Sequence, residues 1–128
     1  MSADDPQTWL RFAEQDLAAA RQELENRLAV QPRHVCFDAQ QAAEKAVKAM
    51  CLAQGIDFPF THDLVRLARM LPPGDRPPST DAELQELTLW ATARRYPGDD
   101  EAEWPDAERA VAIAHAVVAD ARARLPNP

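Results

Sequence analysis

The chain has 128 residues, a formal net charge of −7 and a pI of about 4.9. This length suits one domain, and we expect residues 1–128 to form it around a core spanning about 6–125. The chain is rich in alanine, whereas glycine numbers three and aromatic residues make up 6%. This composition favours helices over a β-sandwich or barrel. The acidic balance argues against a broad face for duplex DNA.

Neither a membrane span nor a disulfide is expected. No apolar run approaches the roughly 18 residues that a spanning helix needs. The stretch Met1–Asp5 is acidic and lacks the basic and apolar regions of a signal peptide, which predicts a cytoplasmic protein. Cys36 and Cys51 are predicted on one helix about 22 Å apart, too far for a disulfide. The histidines follow no metal-ligand spacing, so we expect no metal site and no cofactor.

Apolar residues at three- and four-residue steps predict five helices. The first is expected from Pro6 to about Leu28, with Asp5 as N-cap and Leu28 closing its apolar stripe. The second is expected from Pro32 to just before Gly55, a residue typical of helix ends. Rows of alanine along this second helix predict that it is central and closely packed.

The third and fourth helices are predicted from capping patterns. The third is short and begins at Thr61 as N-cap, with Asp63 in its first turn. The Pro-rich stretch 72–78 ends it and forms a loop. Residues 80–83 carry a capping-box pattern that opens the fourth helix, which we expect to end near Tyr96.

The fifth helix is predicted to start near Pro105 and to end before Pro126. Its cationic last turn, with Arg122 and Arg124, suits the negative end of a helix. The short connectors between the five segments favour antiparallel neighbours. The predicted fold class is therefore all-α: an up-and-down antiparallel bundle of four main helices plus a shorter one.

A first polar cluster lies on the second helix. Gln41, Lys45 and Lys48 recur at steps of four and three, so they share one face, and Glu44 lies four residues before Lys48. These are the only two lysines of the chain. One interpretation is a solvated helix face with an ion pair. The other is a cationic face that contacts a ligand.

Two more polar clusters lie at predicted helix ends. His62 and Asp63 form either an N-cap region or an anion site, where backbone N–H groups point at phosphate. Arg94, Arg95 and Tyr96 form either a favourable cationic helix end or a guanidinium pair for phosphate with a ring for base stacking. We expect the three clusters to contribute to one polar surface with a locally positive potential.

The order and spacing of these motifs resemble a prokaryotic HEPN domain, from about Trp9 to Leu125. The resemblance rests on motifs in four places: Trp9, Ala13, Asp16, Leu17 and Ala20 in the first helix, Cys36 to Ala49 with its Gln-Gln-Ala-Ala-Glu-Lys core, Thr61-His62-Asp63-Leu64, and Arg95-Tyr96-Pro97. It implies a HEPN-like helical bundle that is commonly homodimeric. For many members it also implies a minimal nucleotidyltransferase encoded alongside, in a toxin–antitoxin-like pair.

The resemblance therefore suggests that the chain binds nucleotide or RNA and partners such a nucleotidyltransferase. The residues that it implies as ligand contacts are Gln41, Lys45, Lys48, His62, Asp63, Arg94, Arg95 and Tyr96.

A metal-independent endoribonuclease toxin is the first alternative. Ribonuclease members of the family carry an arginine followed, after four to six residues, by a histidine and often by a tyrosine two residues later. Arg109 and His115 fit the first part, as do Arg27 and His34, but no tyrosine follows either histidine at that spacing. Arg109 and His115 also point about 240° apart around one helix, and His115 is expected to be partly buried. The second alternative is a non-catalytic, structural dimeric bundle.

Overall fold

The described part of the chain, residues 5–92 and 102–126 of this computed structural model, contains no β-strand. Its regular elements are α1 (Pro6–Glu25), α2 (Pro32–Ala53), α3 (Leu64–Arg69), α4 (Asp81–Leu89) and α5 (Trp104–Arg124), with 3₁₀ helices at Pro73–Asp75 and Trp90–Thr92. The predicted all-α class, with four longer helices and one short one, is confirmed.

Local hydrogen bonds explain most helix ends. The Asp5 side chain caps α1 by accepting from the backbone N of Gln7 at 3.0 Å. Gly55 follows α2 with a φ of +68°, a conformation that side chains with a Cβ rarely adopt. Thr80 and Glu83 form the predicted capping box of α4. These predictions are confirmed because capping depends on residues close in sequence.

Two helix ends differ from the prediction. Helix α1 ends at Glu25, and Leu28 is fully exposed rather than part of an apolar stripe. The backbone N of Asn26 already bonds to Glu23 O, so the chain leaves the helix there and turns towards α2. Helix α4 ends as an α-helix at Leu89 and continues as a 3₁₀ helix to Thr92, whereas the predicted end near Tyr96 lies outside the described residues.

Helix α3 begins later than predicted. Its N-cap is Asp63, whose side chain accepts from the backbone N of Arg66 at 3.1 Å. Thr61 instead accepts from the backbone N of Asp63, at 3.1 Å, and shapes the turn before the helix. His62 therefore lies ahead of α3 rather than in its first turn, which frees its side chain to reach another helix.

Helix α2 is the centre of the bundle and contacts all four other helices. Its inward positions carry alanines that are fully buried: Ala39, Ala42, Ala43, Ala46 and Ala49. Small side chains let the neighbouring backbones approach closely. The prediction of a central, closely packed second helix is confirmed.

The two cysteines are free and buried. Burial raises the pKa of the Cys36 thiol to about 12 and that of Cys51 to about 11. Both thiols are therefore protonated and unreactive at neutral pH, as expected for packing residues. None of the helices in residues 5–92 and 102–126 is long and apolar enough to cross a membrane.

The seam between α1 and α2 predicts a pH-dependent stability. Burial, together with the hydrogen bond and the charge of Asp38, raises the pKa of Glu23 to about 7. The folded chain therefore holds this proton between about pH 4.5 and 7, where the unfolded chain has lost it. The contribution of protonated Glu23 to the free energy of unfolding is complete below the unfolded pKa of 4.5, and it is lost as the pH rises through 7. Relative to Glu23→Gln, the wild-type chain should lose about 1 kcal/mol of unfolding free energy from pH 5 to pH 8, since solvent screens a partly exposed pair.

Urea unfolding at several pH values measures this difference. Glu25→Gln, on the same helix but exposed, is the matched control and should leave the pH profile of the wild type unchanged. Parallel profiles for the wild type and Glu23→Gln would contradict the prediction.

Candidate functional site

A buried carboxylate on α2 collects three polar side chains. Glu44 Oε2 lies 2.9 Å from Lys48 Nζ, and Glu44 Oε1 lies 2.9 Å from Gln40 Nε2 and 2.7 Å from His62 Nδ1. The Glu44 side chain is 6% exposed. We call Gln40, Glu44, Lys48 and His62 the Glu44 cluster.

The helical period assembles most of this cluster. Gln40, Glu44 and Lys48 are spaced by four residues, so their side chains form one row along α2. Gln41 lies beside this row, and its Nε2 donates to Gln40 Oε1 at 2.7 Å. His62 joins from the turn ahead of α3, so the cluster ties this turn to the central helix.

Lys48 is covered by two aromatic rings. Its Nζ lies 5.8 Å from the ring centroid of Trp9 and 5.4 Å from that of Phe58, and the two rings meet edge to face at 6.1 Å. The Lys48 side chain is 7% exposed. The interpretation of a solvated ion pair with Glu44 is therefore wrong, because α1 and the segment after α2 bring these rings over the ammonium.

The hydrogen bonds of the cluster keep Glu44 ionised. Burial by itself would raise the pKa of this carboxyl, but hydrogen bonds from Lys48, Gln40 and His62 outweigh burial and hold the pKa below its usual range. An ionised carboxylate only accepts hydrogen bonds. Glu44 therefore acts as a fixed anionic anchor for the three side chains around it.

The outer part of the cluster is accessible. The His62 side chain is 43% exposed, and its Nε2 has no hydrogen-bond partner among the described residues. Phe60, which is 95% exposed, meets the His62 ring edge to face with centroids 5.8 Å apart. The imidazole of His62, held by Glu44, and the exposed ring of Phe60 thus lie side by side at the surface.

Lys45 does not join the Glu44 cluster. Its Nζ lies 2.6 Å from Asp16 Oδ2, which links α2 to α1, and both side chains are more than a quarter exposed. Each of the two lysines is therefore paired with a carboxylate, Lys45 with Asp16 and Lys48 with Glu44. The lysines alone add no net positive charge to the expected polar surface.

Asp63 serves α3 as its cap. The carboxylate of Asp63 accepts from Arg66, and the backbone N of Leu64 donates to Thr88 Oγ1 at 3.1 Å. Of the two interpretations of this helix start, the structure matches the N-cap. The backbone N–H groups of Leu64 and Arg66 already donate to the Thr88 hydroxyl and the Asp63 carboxylate, so they do not point at a bound anion.

The third sequence cluster is not part of the described structure. Arg94, Arg95 and Tyr96 lie outside the described residues, so their contribution to a site with His62 stays a prediction. Trp90, shortly before them, is buried.

Arg109 and His115 lie on different sides of α5. Arg109 binds Asp106 and reaches α4 through Glu86, whose Oε1 lies 3.3 Å from Arg109 Nη2. His115 contacts Arg21 of α1. His115 is exposed, so the expectation of partial burial is wrong: it lies at the solvent edge of the α1–α5 contact, where the side chain of Arg21 reaches it.

The sequence patterns did not identify two residues of this region as site residues. Gln40 is fully buried and binds Glu44, and Phe60 provides the exposed ring. Two sequence features could have indicated them. Gln40 lies four residues before Glu44, and Phe60 lies two residues before His62. No group of three or more metal-binding side chains occurs in the portion of the chain that the structure covers.

Comparisons with known proteins agree with this architecture. The family model described as HEPN domain matches residues 6–123. The crystal structure of TT1696 from Thermus thermophilus is similar at 28% identity and a TM-score of 0.77, covering 94% of this chain and 98% of that one. The structure of ST0689, an archaeal HEPN homologue, is similar at 25% identity and a TM-score of 0.68, covering 97% and 98%.

No protein with a curated description matches the chain. The family match nevertheless spans nearly every element from α1 to α5, and the same bundle recurs in both solved structures. The chain belongs to the HEPN domain family.

Proposed function

We propose that this HEPN domain binds a nucleotide or RNA beside the Glu44 cluster, as the homodimeric partner of a minimal nucleotidyltransferase in a toxin–antitoxin-like pair. The observation that carries the binding role is the anchored, half-exposed His62 next to the exposed ring of Phe60. The partner and the dimer rest on the family resemblance.

The cost of the buried charges supports a role beyond folding. Glu44 and Lys48 are both less than a tenth exposed, and burying such a pair costs desolvation that an apolar pair of similar size avoids. Apolar residues of similar volume could fill the same space without that cost. What the pair does provide is a rigid support for His62, and a preorganised contact binds a ligand at lower entropic cost.

The cations of the expected polar surface predict the size of the binding effect. Replacing Lys45 and Arg95 together with alanine should weaken the binding of AMP or a short oligoribonucleotide by about 2 kcal/mol or more, because charge-assisted phosphate contacts contribute about 1.5–3 kcal/mol each. Calorimetric titration of the folded variant measures the change. Binding should also weaken as salt concentration rises.

The control is Arg33→Ala combined with Arg66→Ala, which removes two exposed cations that are not members of the Glu44 cluster. It should retain the affinity of the wild type. Equal affinity of the folded Lys45/Arg95 variant would assign those two residues to packing and capping. If the wild-type chain binds none of these ligands and remains a dimer in light scattering, the structural-bundle alternative is favoured.

The partnership is tested separately by co-expression. The chain should co-purify with the nucleotidyltransferase encoded beside it, and induced expression should slow growth only when that neighbour is absent. Independent behaviour of the two proteins in both assays would contradict the toxin–antitoxin part of the proposal.

The ribonuclease alternative predicts a different result for His115. Because Arg109 faces α4 and His115 faces α1, one protomer does not bring them to a common phosphate. We expect His115→Ala to leave any RNA-related activity largely intact and to change stability by about 0.5 kcal/mol or less, as is usual for an exposed side chain. Cleavage of RNA and growth inhibition are the two measurements. Complete loss of both in a folded His115→Ala variant would favour the ribonuclease toxin.

A further inference from the structure

We propose that Glu44 fixes the tautomer of His62 with the proton on Nδ1, so that Nε2 accepts a hydrogen bond from a ribose hydroxyl and the site prefers ribonucleotides to deoxyribonucleotides. The inference rests on the proposed nucleotide-binding function. It assigns a positioning role to Glu44 and a specificity-determining role to His62.

The proton between Glu44 and His62 belongs to the imidazole. Glu44 accepts from Lys48 at Oε2 and from Gln40 at Oε1, and it is ionised, so it has no proton to donate. The 2.7 Å contact between Nδ1 and Oε1 therefore requires a proton on Nδ1. The hydrogen bond that one ring nitrogen makes determines what the other nitrogen offers.

In its neutral form, His62 offers Nε2 as a hydrogen-bond acceptor. Lys48 already compensates the charge of Glu44, so a neutral His62 gives the cluster no net charge. In a neutral imidazole with its proton on Nδ1, Nε2 is a hydrogen-bond acceptor. Phosphate oxygens are acceptors as well, whereas the hydroxyls of ribose can also donate. The sugar, rather than the phosphate, is thus the part of a nucleotide that complements His62.

The neighbouring ring determines which end of the nucleotide lies near His62. Phe60 is 95% exposed, and Pro59 restricts the backbone just before it. An exposed aromatic face takes a nucleobase by stacking. The His62 ring stands beside this face, at an interplanar angle of 67°. Because the two ring centroids are 5.8 Å apart, the sugar of a base stacked on Phe60 would lie within reach of His62.

The first experiment measures the tautomer without any ligand. Nitrogen-15 NMR of the imidazole rings should show His62 protonated on Nδ1 and unprotonated on Nε2. His34, which is exposed on α2 and has no side-chain hydrogen bond or ion pair among the described residues, is the internal control and should show the ordinary Nε2-protonated form. If His62 and His34 show the same tautomer, the inference is wrong whatever the chain binds.

The second experiment measures the preference for ribose. AMP should bind about tenfold more tightly than 2′-deoxy-AMP, the loss expected for one hydrogen bond. His62→Ala should reduce this ratio to about one, whereas the control His34→Ala should retain it. Oligoadenylates with ribose and with deoxyribose form a second arm, which distinguishes a free nucleotide from an RNA strand as the source of the sugar.

The outcomes separate the inference from the function on which it rests. Equal binding of AMP and 2′-deoxy-AMP, or of the two oligoadenylates, would overturn the ribose preference and leave nucleotide binding in place. A ribose preference that survives in a folded His62→Ala variant would overturn the role of His62. Absence of binding in every arm for the wild-type chain would overturn both the inference and the proposed function.

Discussion

Replacing Glu44 with alanine is expected to lower the free energy of unfolding by about 3–5 kcal/mol, the range observed when one partner of a buried ion pair is removed. The variant leaves the ammonium of Lys48 without its carboxylate beneath Trp9 and Phe58, where the Lys48 side chain is only 7% exposed. Equilibrium unfolding in urea at neutral pH measures the change.

The pair between Lys45 and Asp16 is the matched control. Both side chains are more than a quarter exposed, so Asp16→Ala should cost about 1 kcal/mol or less. The double variant Glu44→Leu with Lys48→Met removes both buried charges and should recover most of the stability lost in Glu44→Ala. If Glu44→Ala costs no more than Asp16→Ala, the buried pair does not have the desolvated character described above.

Enlarging a buried alanine of α2 should have the second-largest effect. Ala43 is fully buried in the helix that contacts all others, so Ala43→Leu forces neighbouring helices apart or drives side chains into strained rotamers. Overpacking of this kind costs about 2–3 kcal/mol. Thermal unfolding and urea unfolding are two independent measurements of this change in the free energy of unfolding.

Ala18→Leu is the control for this substitution. Ala18 lies in the middle of α1 but is exposed, so the same change there should alter stability by about 0.5 kcal/mol or less. A small cost for Ala43→Leu would mean that the bundle tolerates wider helix spacing than its alanine-lined centre indicates.

The helices themselves follow from local patterns. Apolar periodicity located α1, α2 and α5, and capping residues such as Asp5 and Thr80 marked helix starts that the structure reproduces. The misplaced start of α3 illustrates the limit of such patterns. Thr61 and Asp63 are both good capping residues, and the choice between them depends on contacts such as that of Leu64 with Thr88 on α4.

The candidate site was only partly predictable for a related reason. The spacing from Glu44 to Lys48 indicated an ion pair, and the pair exists. Its burial depends on Trp9 and Phe58, which are far from it in sequence. The same holds for His62, whose partner Glu44 lies eighteen residues earlier on another element.

The sequence by itself therefore determined the all-α class, the central alanine-rich helix and the residues that carry charge, because helix periodicity and capping act over three or four residues. Only the tertiary structure decided which of those charges are buried. A carboxylate becomes an anchor, and a lysine a structural cation, only when distant elements exclude water from them. That exclusion makes the Glu44 cluster a rigid support for His62 instead of a solvated face of α2.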